Sequence, residues 1–291
     1  MSLNNIKYIL FFVNMNINIF INIIIFCVIL ILYLHIRYHL KVNNDIDVFT
    51  VNETKKENIN EICKLKQPFK FVYNNIQLVK FTDFESLFKN YGKNNIYVKK
   101  YEDTQSFPIK LETLKELFSK DASNNYISIN NQLFLQETNT DKYFEKDYNI
   151  KPNLVSNNKY DLIIGKSGSS TKLKYDLHYR NYLYVTHGKC RVKLFSPQNK
   201  KNLTVIKNYE TFEYGVDKNP FLENMDGYSG AELVLSPGEI LFVPPYWFYS
   251  IMFEENTTVC KFNYGTYMSN LSLIPEFIKH FFQKQNIKIK I

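Results

Sequence analysis

Arginine is nearly missing from this chain. Arg37, Arg180 and Arg191 are its three, so the formal charge of +8 comes from lysines scattered along 291 residues. A nucleic-acid reader usually presents an arginine-containing patch or a known motif. Neither is here, which argues against nucleic acid as a partner and favours a solvated lysine surface. Cysteine is equally sparse: Cys27, Cys63, Cys190 and Cys260 form no CxxC and no metal-ligand spacing. Cys27 lies in an apolar segment, and the three that remain are an odd number, which argues against a disulfide framework and favours a reducing compartment. Histidine is scarce as well, with His178, His187 and His280 the three beyond residue 40. Glycine and proline stand at 9 each while aromatics reach 16%. That mix favours strands over a helical bundle. At 45% hydrophobic and 22% charged residues the composition is globular, with room for one sizeable domain. No internal repeat is visible.

One long apolar run opens the chain. Residues 17–36 read INIFINIIIFCVILILYLHI, with Asn18, Asn22 and His35 its polar members. About twenty such residues match the roughly 30 Å bilayer core. A cleaved signal would carry a shorter apolar stretch and a small-residue cleavage site. Here Tyr38-His39-Leu40-Lys41 follows, which predicts a retained single-pass membrane anchor. Lys7 precedes the span, whereas Arg37 and Lys41 follow it, and the positive-inside tendency then puts the large domain in the cytoplasm. Sequons at Asn52, Asn202, Asn256 and Asn270 point the other way, but such triplets arise by chance in an asparagine-rich chain.

The remaining organisation divides into a 1–16 N-terminal segment, a polar linker over 37–62, a domain over 63–270, and a C-terminal helix with a basic tail over 271–291. Phe69 to Tyr73 reads as a first strand. Thr82-Asp-Phe-Glu85 reads as a capping box before Phe84, Leu87, Phe88 and Tyr91 at helical spacing. A strand at 96–101 and a helix carrying Leu111, Leu114 and Phe118 follow. Strands then dominate: 182–185 and 192–195 flank Thr186-His-Gly-Lys189 as a hairpin turn, and further strands fall at 241–243, 247–253 and 258–264. Short strands at this spacing predict a mainly β jelly roll or barrel with flanking helices.

Two segments carry a resemblance, GKSGSSTKLKYDLHYRNYLYVTHGKCRVKLFSP (165–197) and SPGEILFVPPYWFYSIMF (236–253). Together they resemble the JmjC, cupin-like family of Fe(II)- and 2-oxoglutarate-dependent oxygenases. The similar branch is that of the asparaginyl hydroxylase acting on the hypoxia-inducible factor. The order of the Gly, Thr, Asp, Asn, Phe-Ser-Pro and Pro-Gly landmarks fits that branch, over roughly residues 63 to 265. The resemblance implies a double-stranded β-helix, and an Fe(II) site of two histidines and one carboxylate on one face.

The implied site is degenerate. Asp176 keeps the carboxylate position, but the two histidine positions hold Lys174 and Tyr249. An ammonium would repel the metal, and a neutral phenol is a poor ligand near pH 7. Thr171 and Asn181 match the family's 2-oxoglutarate contacts, whereas the lysine that would pair with the co-substrate's far carboxylate falls on Cys190. One extra residue separates Asp176 from Asn181. Asp176 is expected to pair with Lys174 where the metal once sat. His178 is read as a half-exposed strand residue, and His187 and His280 as surface residues.

The reading that follows is a membrane-anchored, non-catalytic cupin-like domain, a pseudoenzyme that needs no cofactor and acts by binding. Its rivals are a divergent Fe(II)/2-oxoglutarate-dependent protein hydroxylase and a membrane-tethered structural scaffold. In the C-terminal segment, Phe277, Ile278, Phe281 and Phe282 are apolar at helical spacing. The resemblance implies a homodimer contact there; the plainer alternative is a helix packed on its own barrel.

Overall fold

A strand alternates its side chains between two faces, so a strand apolar on both must lie between two layers. The run Arg180–His187 is of this kind: Leu183 and Val185 on one face and Tyr182 and Tyr184 on the other are all buried. The computed structural model describes residues 3–52, 55–100, 106–120, 126–209 and 212–288, and it supplies both layers.

Helix α1 (Leu3–Leu40) is a unit by itself. Its segment Ile17–Leu40 runs 24 residues at a mean hydropathy of 2.9 without burial. At 1.5 Å per residue that is about 36 Å, long and apolar enough to cross a membrane. The helix outlasts the expected end at Ile36 because nothing from Arg37 to Leu40 breaks it, and Arg37 and His39 suit the negative end of the helix dipole. Met1 and Ser2 of the N-terminal segment, Thr54 of the first sequon and residues 289–291 of the basic tail lie outside the described residues.

The second unit begins at Val42. It opens with β1 (Phe49–Val51), α2 (Lys56–Lys64), β2 (Phe69–Val72), α3 (Ile76–Thr82), α4 (Phe84–Tyr91), β3 (Asn95–Lys100), β4 (Phe107–Lys110), α5 (Leu111–Lys120), β5 (Tyr126–Ser128) and α6 (Gln132–Glu137). Next come β6 (Val155–Gly165), β7 (Lys174–Tyr175), β8 (Arg180–His187), β9 (Cys190–Phe195), β10 (Val205–Asn208), β11 (Glu213–Val216) and β12 (Gly230–Leu235). The chain closes with β13 (Glu239–Val243), β14 (Phe248–Phe253), β15 (Thr257–Thr266), α7 (Tyr267–Ser272) and α8 (Ile274–Lys288).

Among the described residues the strands form two sheets. The larger runs β1-β2-β13-β8-β15-β6-β5-β3-β4 and the smaller β10-β11-β7-β14-β9-β12. Their inner faces meet in one apolar cluster, Leu183, Val185, Leu241 and Val259 from the larger sheet against Val192, Leu194, Ile251 and Phe253 from the smaller. This is the double-stranded β-helix. The outer face of the larger sheet carries Tyr182, Tyr184, Phe262 and Tyr264, which Leu78, Leu87, Leu111 and Leu114 of the helices cover. Each such buried side chain contributes about 1.5–3 kcal/mol, so the strand order is held from both sides.

Three expectations change. The supposed linker over 37–62 belongs largely to the domain: β1 adds to β2 in parallel, and α2 buries Ile59 and Cys63. Its polar composition hid a helix with one narrow apolar stripe. The buried Arg180 guanidinium fastens that helix, donating to Asn60 Oδ1 at 2.7 Å and to the Ile150 carbonyl at 3.1 Å. Thr186–Lys189 is not a hairpin turn, since β8 pairs with β13 and β15 while β9 pairs with β12 and β14. The segment is a corner from one sheet to the other. Gly188 holds it at φ +69°, where a Cβ would come 2.4 Å from the Asn256 carbonyl oxygen. Finally, Asp83 rather than Thr82 caps α4, accepting from the Ser86 amide at 3.1 Å. Thr82 ends α3 and returns its hydroxyl to the Leu78 carbonyl.

Candidate functional site

Strand β7 is only two residues long, wedged between β11 and β14 of the smaller sheet. Its register sets Lys174 directly opposite Tyr249. The two positions that would carry histidines are therefore cross-strand neighbours, and Asp176 follows just past the end of β7. The extra residue before Asn181 is absorbed in the bend at His178–Tyr179, so β8 enters the sheet with Asn181 opposite Val243 and Asn263.

The partner of Asp176 is not Lys174, as the sequence suggested, but Lys261 of β15. Its ammonium lies 2.7 Å from Asp176 Oδ2 and 2.9 Å from Oδ1, and the Tyr249 hydroxyl donates to Oδ2 at 2.8 Å. The Lys261 and Asp176 side chains are only 10% and 12% exposed. Lys174 stands behind, its Nζ 5.7 Å from the centre of the Tyr249 ring, with Lys261 Nζ at 5.6 Å. β7 directs Lys174 toward the phenol ring, from where its charge also acts on Asp176, whereas β15 brings Lys261 onto the carboxylate.

The electrostatics follow from burial and contact. Burial would raise the Asp176 carboxyl, but Lys261 above all, with His178 and Lys174, draws it well below the carboxylate range. Burial would lower Lys261; Asp176 outweighs it and raises the ammonium above its usual value. Burial and the adjacent carboxylate both push Tyr249 up, so it stays a neutral donor. His178 is half-buried, as expected, but sits in the bend between β7 and β8 rather than in a strand. Its enclosed Nδ1 has no hydrogen-bond partner, and burial holds it down at about 4 despite Asp176.

Asp176, Lys174 and His178 line one side of a cavity of about 230 Å³. Lys159 and Asp161 of β6, Lys261 and Asn263 of β15, and Phe212, Tyr214 and Phe277 complete its wall. Asp161 is occupied by the backbone amides of Asn130 and Asn131 at 3.1 and 2.6 Å, so the cavity carries three ammonium groups against two carboxylates. Asn263 presents a buried Oδ1 without a partner.

The other three expected contacts do not join this group. The Thr171 hydroxyl accepts the Ile251 amide at 2.9 Å and is spent on joining the smaller sheet. Asn181 Nδ2 donates to the carbonyls of Val243 and His178 at 3.1 and 3.3 Å. Cys190 lies opposite Phe253, four residues along β14 from Tyr249, or about 13 Å. It is packed among Val192, Ile251 and Leu235, and burial pushes its thiol up to about 12. His187 stacks half-exposed on Phe84, and His280 meets the Tyr209 carbonyl and the Phe212 ring.

The donor set does not fit a ferrous ion. Both Asp176 oxygens are engaged by a fixed ammonium, which holds the positive charge a metal would bring. No group of three His, Cys, Asp or Glu side chains able to hold a metal exists among the described residues. Nor does the interior fit 2-oxoglutarate, since the depth at Cys190 is filled by apolar side chains with no cation. Lys261 was overlooked in the sequence, although a signal existed. In TTVCKFNYG (257–265) the parity of Val259 also carries Lys261 and Asn263, so a lysine and an asparagine sit where inward apolar residues belong.

Two packed sheets joined at corners, with a polar cluster at one end of their shared interior, define a cupin-type β-helix protein. The family model for the cupin-like domain matches residues 36–270, and the chain belongs to that family. It is also similar to JmjC domain-containing protein D of Dictyostelium discoideum, 36% identical over 106 residues, covering 31% of this chain and 23% of that protein. The match thus spans about a quarter of the relative's length.

Proposed function

We propose that this protein is a membrane-anchored, non-catalytic cupin-like domain that acts by binding through the cavity beside Asp176. The observation that carries the reading is Lys261. A lysine ammonium is bound to both oxygens of Asp176, the carboxylate that the resemblance to the Fe(II)-dependent oxygenases assigns to the metal. Removing that charge match to admit a metal means breaking a buried ion pair, at about 3–5 kcal/mol. Lys174 adds a second cation beside it, and Tyr249 is a neutral donor rather than a ligand. The anchor is the Ile17–Leu40 segment, and Arg37 and Lys41 at its C-terminal end favour a cytoplasmic domain.

The test is calorimetric titration of the protein with Mn(II) and 2-oxoglutarate. No specific heat is expected from the native chain. The variant Lys174→His, Tyr249→His, Cys190→Lys is also expected to stay silent, because Lys261 remains. Adding Lys261→Ala to it should permit micromolar metal binding. Tight binding by the native chain would return the hydroxylase reading.

A further inference from the structure

Helix α8 turns its polar side inward and its apolar side out. Toward the barrel, Glu276 accepts the Tyr214 hydroxyl at 3.4 Å, Gln283 accepts the Tyr209 amide at 3.1 Å, and His280 meets the Tyr209 carbonyl. Outward stand Ile274, Ile278, Phe281 and Phe282, exposed by 45%, 50%, 59% and 61%. At about 100° per residue these four fall within one stripe roughly 100° wide. Phe277 edges it while resting on Phe212, and exposed Lys284 borders one side and Lys279 the other, the latter with its ammonium 3.4 Å from Glu276 Oε1. A helix on a water-facing domain has the opposite arrangement. The cupin-like match ends at residue 270, before this helix.

We infer that the outward stripe of α8 lies in the interfacial layer of the bilayer, with Lys279 and Lys284 reaching the anionic headgroups. Isoleucine and phenylalanine flanked by lysines is the composition of an interfacial helix, whose ammonium groups stay at headgroup level while their stems cover apolar surface. The chain itself brings the domain to a membrane through Ile17–Leu40, and in this the inference rests on the anchoring reading above. A second copy of the helix is the weaker occupant, because two such stripes face to face would bring bordering lysines together as like charges.

The experiment uses the full chain reconstituted in vesicles of phosphatidylcholine and phosphatidylserine at about 7:3. Trp247 is the single tryptophan and is fully buried, so the native chain gives the background. Phe282→Trp adds a reporter at an exposed position that folding does not depend on. Lipids brominated near the headgroup end of the acyl chain are expected to quench the added emission at least twofold. Lys279→Glu with Lys284→Glu should halve that quenching, and no change would overturn the headgroup contact. Alkaline carbonate extraction of the same vesicles reads the anchor separately. Retention without quenching rejects the α8 contact, and is also what a second copy shielding the added indole would give. Quenching with loss on extraction rejects the span and keeps the α8 contact. Loss without quenching rejects both.

Discussion

Lys261 was legible in the sequence as a charge in an apolar strand, yet its partner was not. Parity shows which face a side chain takes; it does not show which strand will stand across the barrel. Lys174 and Asp176 share a face two residues apart, which made them look like a pair. The pairing of β15 with β8 and β6 is what delivers Lys261 instead. Lys261→Met should destabilise the domain by about 3–5 kcal/mol, since it leaves a buried carboxylate unmatched. Combining it with Asp176→Leu and Tyr249→Phe should recover most of that loss, measured as urea midpoints. Asp176 is depressed and Lys261 raised, so the pair's contribution is present above the carboxylate's usual value near 4 and lost as pH falls from there through the depressed folded value. At the other end it is present below about 10.5 and lost at higher pH. From about pH 7, above the titration of His178 that Lys261 helps to hold down, to about 10 the effect of Lys261→Met should be flat.

His178 adds a loss of stability on acidification within reach of ordinary buffers. Its folded value of about 4 lies below the usual 6.5, so the unfolded chain takes up the proton first. Stability should therefore be full above pH 6.5 and fall by about 2 kcal/mol between pH 7 and 5. His178→Gln should remove that slope; a slope that persists would assign it to another group.

Helices and strands were more legible than their pairings. The amphipathic spacing of α4 and α5 and the short apolar runs of β8, β13 and β15 are local patterns, and the elements fall where those patterns put them. Partner choice is not local: Thr186–Lys189 has the composition of a hairpin turn, and only the second sheet makes it a corner. Residues 42–62 failed for a related reason, because α2 needs only Ile59 and Cys63 to dock, too few to stand out. Chain 42–291 should fold as the full domain does. Chain 63–291 should lose the Phe49–Phe69 stack, the Arg180–Asn60 bond and the cover over the Cys63–Tyr182 contact at 3.3 Å. Its urea midpoint should drop sharply, with a smaller near-ultraviolet signal. Equal midpoints for the two chains would return 42–62 to linker status.

For the whole molecule, glycosylation reads which side of the membrane holds the domain. Asn202 and Asn256 are exposed, so a lumenal domain would offer them to the glycosylation machinery. Expression in a eukaryotic cell followed by glycosidase digestion should leave the electrophoretic mobility unchanged if the domain is cytoplasmic. A shift would reverse the orientation. The cation at the centre of the site also changes how the protein reaches its finished form. A charge carried on the polypeptide arrives with translation, at a local concentration no chelator can lower, and cannot be displaced by a competing ion. The domain should therefore mature at the same rate in iron-starved and iron-replete cells, without a loading step or a metallochaperone, and without the radical damage that a ferrous centre brings to its own surroundings.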